Sequence, residues 1–522
     1  PERTRHLAFG DVAAVWEVMT RLDVIGIVDA VTGGKVAGAG ASTGTYLALA
    51  ALNRVVAPCS KLAFATWWQA TAADRFTKIG TSVLDHRRFW DAMHAVSLAE
   101  LAEIERRVTA AMIERFELDT AALALDMTNF ATYIDTGNDK APIAQRGKAK
   151  QKRSDLRLVG LGLVGLGLVV TRDGGIPLVS HAYAGNRPDV TQFATVIEKL
   201  TGGYQELLTG GADPRTGAGE VTVVFDAGQN STANFAYLAS SGLGYVGSVP
   251  PSDHPDLLAL PASRRSPVDA HRFPGLTALS TRRETYGVDR RVVLTHSPTL
   301  HDKQVRGFDQ TLAKASARLD DLAATLARGK TRRPREQVET EIAGICRDTW
   351  ARRVIGWELT GDTAAEYRLN WHIDTRARTK LAGEVFGKRV LITDREDWPI
   401  AEVVAGYRSQ SDAEFGFRQL KDPHVVSFSP MHHWTDHNIR VHVFTCVLAL
   451  QIAHLMRRCA EHAGLHLSVR ELLDHLAGIQ ETVLIYPSTG GRPKARRMLT
   501  DSSPDQTKLI DLFNLQHRAP RS

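Results

Sequence analysis

The chain has 522 residues, a formal net charge of +6 and an ordinary globular composition, 43% hydrophobic and 23% charged. That length exceeds what one hydrophobic core serves, so about two to four domains are expected. The mild basic excess fits an anionic partner. Four cysteines (Cys59, Cys346, Cys446, Cys459) include no CxxC pair and are too few for a disulfide framework, so they read as small buried residues of a reducing compartment. There is no signal-peptide pattern, and no apolar run reaches the roughly 18 residues a spanning helix needs, so a cytoplasmic chain without a membrane partner is expected. The first residue is Pro1, so the natural start is expected to lie upstream.

Residues 1–116 read as a helical region, with segments at Val12–Leu22, Thr43–Val55 and Leu98–Phe116 and with Trp67 and Trp68 in the core. The pattern changes at Glu117. Ala121–Asp126 is a short apolar strand ending in an acid, followed by a basic loop, Lys148–Arg153, and a long apolar run, Leu156–Val170. Ile176–Ala184 is a further strand and Val190–Leu200 a helix. Val221–Phe225 is a β-branched strand with Asp226 directly after it. A helix at Thr232–Ser240 and a strand at Gly244–Val249 complete the stretch 117–250.

Residues 251–395 read as an insertion. They carry Pro-rich turns, a strand pair around Thr281–Thr295, an amphipathic helix over about Gln304–Ala327 and a strand at Arg389–Thr393. Segment 396–465 holds Tyr407–Lys421, read as one helix, and a nearly uniform apolar helix at Val441–Met456. The last part, 466–522, reads as helix, strand, basic loop (Arg492–Arg497) and helix. A third basic cluster is Arg328–Arg335. Basic clusters of this kind suit a phosphate backbone, and each also suits a solvated loop.

On the Tyr407–Lys421 helix, positions 407, 410, 414 and 421 form one stripe, which presents a phenol, an amide, a carboxylate and an ammonium. A solvated face is the simpler reading of that stripe alone. Two carboxylates at strand ends and a third on a helix, however, can hold two divalent cations through hard oxygen ligands. Residues Gly160, Gly162 and Gly165 make a formal GxGxxG, but the following residues stay apolar and β-branched instead of opening a helix, which excludes a dinucleotide site. The stretch VGLGLVGLGL at 159–168 repeats five residues, an odd number that shifts strand alternation and predicts a bulge or a lengthened strand. His432, His433, His437 and His442 lack a cysteine pair and read as structural or DNA-facing, not as a zinc site.

LALDMTNFATY, VVFDAGQNS and YRSQSDAEFGFRQLK, in this order, resemble the three acid-bearing motifs of the insertion-sequence DDE transposases. More narrowly, they resemble the bacterial group whose third motif reads Tyr, two residues, Arg, three residues, Glu, six residues, Lys. Tyr407, Glu414 and Lys421 match that spacing, and Gln410 departs from it at the Arg position. GGIPLVSHAYAGNRPD (174–189) and HHWTDHNIRVH (432–442) extend the likeness across about Asp119–Arg457. The resemblance implies an α/β fold: a ribonuclease-H-like catalytic core, that is, a mixed sheet flanked by helices, with a β-rich insertion and a helical N-terminal region that serves DNA binding or dimerisation. It implies metal-dependent cleavage and strand transfer of insertion-sequence DNA ends, with Asp126, Asp226 and Glu414 as catalytic residues that hold two Mg²⁺ (or Mn²⁺) ions. Tyr407, Gln410 and Lys421 are implied DNA contacts, with Arg418 as the preferred substitute for the charge that Gln410 lacks. Lys148, Lys150, Lys152 and Arg153 are expected to grip DNA backbone. The implied partners are the element's terminal inverted repeats, target DNA and a second copy of the chain, in a bacterial, nucleoid-associated setting. The alternative is a catalytically impaired DNA-binding relative, suggested by Gln410 and the duplication.

Overall fold

The computed structural model describes residues 1–34, 40–134, 137–146, 157–166, 174–208, 221–487 and 494–521. It is a mixed α/β structure that divides into two compact units, Pro1–Val246 with Val404–Ser522, and Gly247–Val403.

The first unit is organised on a mixed sheet. Its main strands are β1 (Ala122–Thr132), β2 (Arg157–Leu166), β3 (Pro177–Ala184), β4 (Thr222–Phe225) and the first half of β5 (Gly244–Val249), in the spatial order β3-β2-β1-β4-β5, with the short strand Gln145–Arg146 also paired to β2. β1 and β4 run parallel, β2 runs antiparallel to β1, and β3 runs antiparallel to β2. β1 reads as a near-continuous apolar run, and Ala122, Leu123, Ala124, Leu125, Met127 and Phe130 are all buried, as in a strand covered on both faces. β1 continues past Asp126 to Thr132, six residues beyond the expected end. All three glycines of the formal GxGxxG lie inside β2, so no helix opens there. The repeat in β2 shows itself on one side only. Pairing with β1 is unbroken from Leu123↔Leu166 to Thr132↔Arg157, whereas pairing with β3 shifts between Val164 and Gly165, where the second VGLGL copy starts.

The helices that cover this unit follow the expected segments closely: Gly10–Leu22, Thr43–Val56 and Leu98–Phe116. The last opens with a capping box, Ser97 to Glu100. The N-terminal region is not all helical, however. Arg3–Ala8 is a strand paired antiparallel with Gln480–Tyr486, which pairs in turn with Lys494–Leu499. The expected basic loop after residue 491 is thus a strand from Lys494 onward. Fully buried Glu481 anchors this small sheet between Arg75 (2.6 Å) and Arg497 (2.5 Å); such a pair is costly to break because the carboxylate would be left buried and unpaired.

Helix Asp436–His462 is long and apolar enough to cross a membrane by composition, with a mean hydropathy of 1.6, which corrects the expectation that no run reaches that length. Yet 94% of its most apolar window is buried inside the protein, and Gln451 donates to the Pro177 carbonyl of β3 at 2.8 Å. It is the core helix of the first unit.

The second unit encloses the expected 251–395 region, but helix outweighs strand in it, so it is mixed and not β-rich. Strands Thr277–Thr285 and Val288–His296 form a hairpin whose two loop residues, Tyr286 and Gly287, both have positive φ (51° and 76°), as a two-residue type I′ turn requires. Lys388–Thr393 pairs antiparallel with Val288–His296. The 30-residue helix Pro298–Ala327 buries Phe308, Leu312, Ala315, Leu319, Leu322 and Leu326, an alternating four-three spacing that puts one stripe on the core. Leu319→Ala is therefore expected to destabilise this unit by about 2–5 kcal/mol, while Arg318→Ala, on the exposed face beside it, changes stability by less than about 0.5 kcal/mol in urea unfolding.

Candidate active site

β1 and β4 are in register at Leu125↔Phe225. Asp126, inside β1, and Asp226, the extended residue directly after β4, are therefore neighbours on adjacent parallel chains, about 4.8 Å apart at the backbone and on the same face. Asp126 lies within β1, which runs on to Thr132, whereas Asp226 directly follows the carboxyl end of β4. The Asp126 carboxylate accepts from the Met127 N–H at 2.7 Å. Asp226 is exposed, and its Oδ1 accepts from the Tyr407 hydroxyl at 3.2 Å.

The third motif is two helices, not one. α1 (Ile400–Arg408) and α2 (Gln410–Leu420) meet at Ser409, whose side chain turns back to donate to the Gly406 carbonyl at 2.7 Å. This break separates Tyr407 from the stripe on α2. Gln410 is buried, and its amide nitrogen donates to the Leu125 carbonyl at 3.0 Å and to the Val224 carbonyl at 2.7 Å. One side chain thus bridges β1 and β4 immediately before their two acids. This corrects the expectation that Gln410 faces phosphate: both amide hydrogens are used inside the protein.

Glu414 lies one turn farther along α2 and is exposed. Lys421, at the end of α2, donates to Thr128 Oγ1 at 2.6 Å and stands 5.5 Å from the Phe130 ring centre. Asp126, Thr128 and Phe130 alternate onto one face of β1, so Lys421 holds a cation on the face that carries Asp126. Arg418 is exposed, with its guanidinium 5.7 Å from the centre of the Phe415 ring. The structure thus brings together Asp126, Asp226, Tyr407, Gln410 and Lys421, and places Glu414 and Arg418 on the adjoining helix. Among the described residues no group of three or more His, Cys, Asp or Glu side chains is already gathered as a metal cage. Lys148, Lys150, Lys152 and Arg153 lie outside the described residues.

Two contributors went unread in the sequence. Thr128, which seats Lys421, belongs to the quoted first motif. Tyr183, on β3, donates to Asp189 at 2.8 Å; burial, then the Asp189 charge and this bond, and then the Asp126 charge push its phenol well above the usual range. Both Tyr183 and Asp189 sit in GGIPLVSHAYAGNRPD, where their company with the other motifs was the available signal.

The histidines of 432–442 are structural in part. His442 Nε2 lies 2.8 Å from the Phe428 carbonyl and His437 Nε2 lies 3.0 Å from the Met93 carbonyl. Burial lowers His433 to about 3 and takes His442 well below its ordinary 6.5, with Arg54 and Lys61 adding to both. His454, buried against the Gly175 carbonyl, is also lowered to about 3. Of the Arg328–Arg335 cluster, Arg333 pairs with Glu341 and Arg335 with Glu339, while Arg328, Lys330 and Arg332 are exposed.

No protein-family model and no curated protein matches the chain.

Two outcomes are expected from this geometry. Gln410→Leu removes two buried bridging bonds and should cost about 1–3 kcal/mol in thermal or urea unfolding, and Gln410→Glu, which sets a carboxylate against two carbonyls, should cost more. The neutral buried histidines have folded pKa values below the unfolded one, so their contribution is complete above pH 6.5 and is lost as pH falls toward about 3. The urea midpoint should drop over that window, and His454→Gln should flatten part of the drop.

Proposed function

We propose that the chain is a DDE-type transposase that cleaves and joins the DNA ends of its own insertion element. The observation that carries this reading is the register of β1 and β4, which sets Asp126 beside Asp226, together with the Gln410 amide, which docks the Glu414 helix on both strands. The strand order β3-β2-β1-β4-β5, with β2 antiparallel, supports a ribonuclease-H-like core, and the compact Gly247–Val403 unit supports an insertion between the second and third acids.

The donor set suits a hard cation: three carboxylates, two of them exposed and one half-buried. Asp126, Asp226 and Glu414 would hold Mg²⁺ or Mn²⁺, and a pair of such ions, when bound, supplies activation of the attacking oxygen and charge relief on the leaving one. The protein's own groups do the rest. Lys421, held over β1 by Thr128, draws a DNA phosphate to the face that carries Asp126. Arg418 adds a planar guanidinium on the exposed side of α2, suited to a phosphate oxygen pair. The Tyr407 hydroxyl fixes the Asp226 carboxylate in one orientation. Gln410 keeps α2 seated and carries no charge that DNA could use. A second copy of the chain in the DNA complex is part of the same proposal.

The test is cleavage of labelled DNA carrying the inverted repeats that flank the gene, with Mg²⁺ or Mn²⁺ against EDTA, beside a mobility shift on the same DNA. Asp226→Asn and Glu414→Gln should abolish cleavage and leave end binding nearly intact, because both keep shape and remove a metal-holding charge. Cleavage near the wild-type rate by either variant would place the chemistry elsewhere. Binding without cleavage in the wild type, with either metal, would make the chain a DNA-binding relative.

A further inference from the structure

The second unit carries a row of basic groups that the nuclease reading does not use. Pro267, Thr277, His296 and Lys388 are in register across four antiparallel strands: Pro267↔Thr277, Thr277↔His296 and His296↔Lys388. Directly paired residues project to the same face, so Thr277, His296 and Lys388 stand side by side at about 4.8 Å strand spacing. Arg265 reaches the same row and donates from Nε to Thr277 Oγ1 at 3.4 Å. The His296 ring also lies against Gly387, whose φ is +76°; a Cβ there would meet His296 Nε2 at 2.9 Å. The helix Pro298–Ala327 starts next to this row, and its N-terminal end adds positive potential.

These cations lack a committed counter-charge. Lys388, 5% exposed, gives one hydrogen to the Leu258 carbonyl at 2.6 Å. Glu384, the acid that acts on Lys388, is engaged by Arg353 at 3.4 Å and Lys380 at 3.8 Å. Arg265 Nη1 is buried and has no hydrogen-bond partner, an expensive state for a charged donor. Burial, and then Arg265, hold both His296 and Lys388 below their usual ranges; His301, with its ring 6.0 Å away, and Lys388 press His296 down further. Such a row is relieved by an anion with several acceptor oxygens.

We propose that Arg265, His296, Lys388 and Thr277 form a binding site for one phosphate group. The guanidinium supplies a planar fork, the ammonium a point charge, the imidazole a ring N–H that gains charge when phosphate binds, and the threonine a hydroxyl donor. Lys388 also lines a cleft of about 780 Å³, but Asp348 and Glu384 line it too and Arg265, His296 and Thr277 do not, so the phosphate is placed against the strand row and not in that cleft. The phosphate is either that of a free compound or that of a nucleic-acid backbone. The site stands on residues of the second unit alone and does not depend on the nuclease reading.

The test labels histidine selectively with ¹⁵N in the full chain, assigns the His296 ring with His296→Gln, and adds inorganic phosphate or a short single-stranded oligonucleotide at constant ionic strength. Bound phosphate should raise the His296 pKa. Arg265→Gln should weaken the response about tenfold or more, the loss of a charge-assisted bond, and Lys314→Gln, exposed on the long helix, should not. Where Arg265→Gln lowers the melting temperature, Thr277→Val removes only the hydroxyl and should also weaken the response. A response to inorganic phosphate assigns the site to a free phosphate compound, and one to the oligonucleotide alone assigns it to backbone phosphate. No response to either, or a response that Arg265→Gln and Thr277→Val both leave unchanged, overturns the proposal.

Discussion

The first unit depends on one neutral amide. Gln410 donates to carbonyls of two adjacent parallel strands, and everything on either side of it in sequence follows from that anchor. Tyr407, just before it, reaches Asp226; Glu414 and Arg418, just after it, line the next turns; Lys421 closes the helix on Thr128. A buried amide is suited to the task because it supplies two donors without a charge to desolvate. An arginine at the same depth would bring five donors and a charge that the two carbonyls alone could not balance. The glutamine at position 410 thus has a structural use.

A related solution recurs on the other side of the unit. Arg54, fully buried on Thr43–Val56, has no carboxylate among its hydrogen-bond partners. Its guanidinium donates to the carbonyls of Ser429 (2.9 Å) and Pro430 (3.1 Å), with longer contacts to Ser427 and Cys59. The segment between α2 and α3 (Asp436–His462) is fixed to the N-terminal helices by carbonyl dipoles converging on a cation. Burial keeps His433 and His442 neutral, and the same cation, with Lys61, adds to the effect because a second buried charge nearby would be repelled.

Local signals were legible where they were self-sufficient. Leu98–Phe116 has an apolar stripe, a Ser97 cap and Glu100 to complete it, and its ends are read correctly from the sequence. Thr222–Phe225 is β-branched and bounded, and its acid sits where a strand end puts it. What failed to read was set by distant partners. Arg3–Ala8 is short, polar and mostly exposed, and becomes a strand only because Gln480–Tyr486 lies beside it. Met127–Thr132 continues β1 because β2 offers an unbroken ladder, a fact about pairing and not about propensity. The break at Ser409 has no proline or glycine to announce it. In the site, the spacing of Tyr407, Gln410, Glu414 and Lys421 was visible, but not that Gln410 turns inward while Glu414 turns out. That division is made by the two strands beneath the helix.

The discontinuity of the first unit bears on how the chain is made. Residues leave the ribosome in order, and domains tend to fold as they emerge. Gly247–Val403 is one continuous stretch and can close on itself during synthesis. The first unit cannot, because β1 and β4 emerge long before Gln410 bridges them, and Arg3–Ala8 stays unpaired until residue 486 has been added. Until those partners emerge, the strand edges they cover stay open, and open edges are prone to pair with other chains. The first unit arranged in this way is complete only after Gln480–Tyr486 has been added.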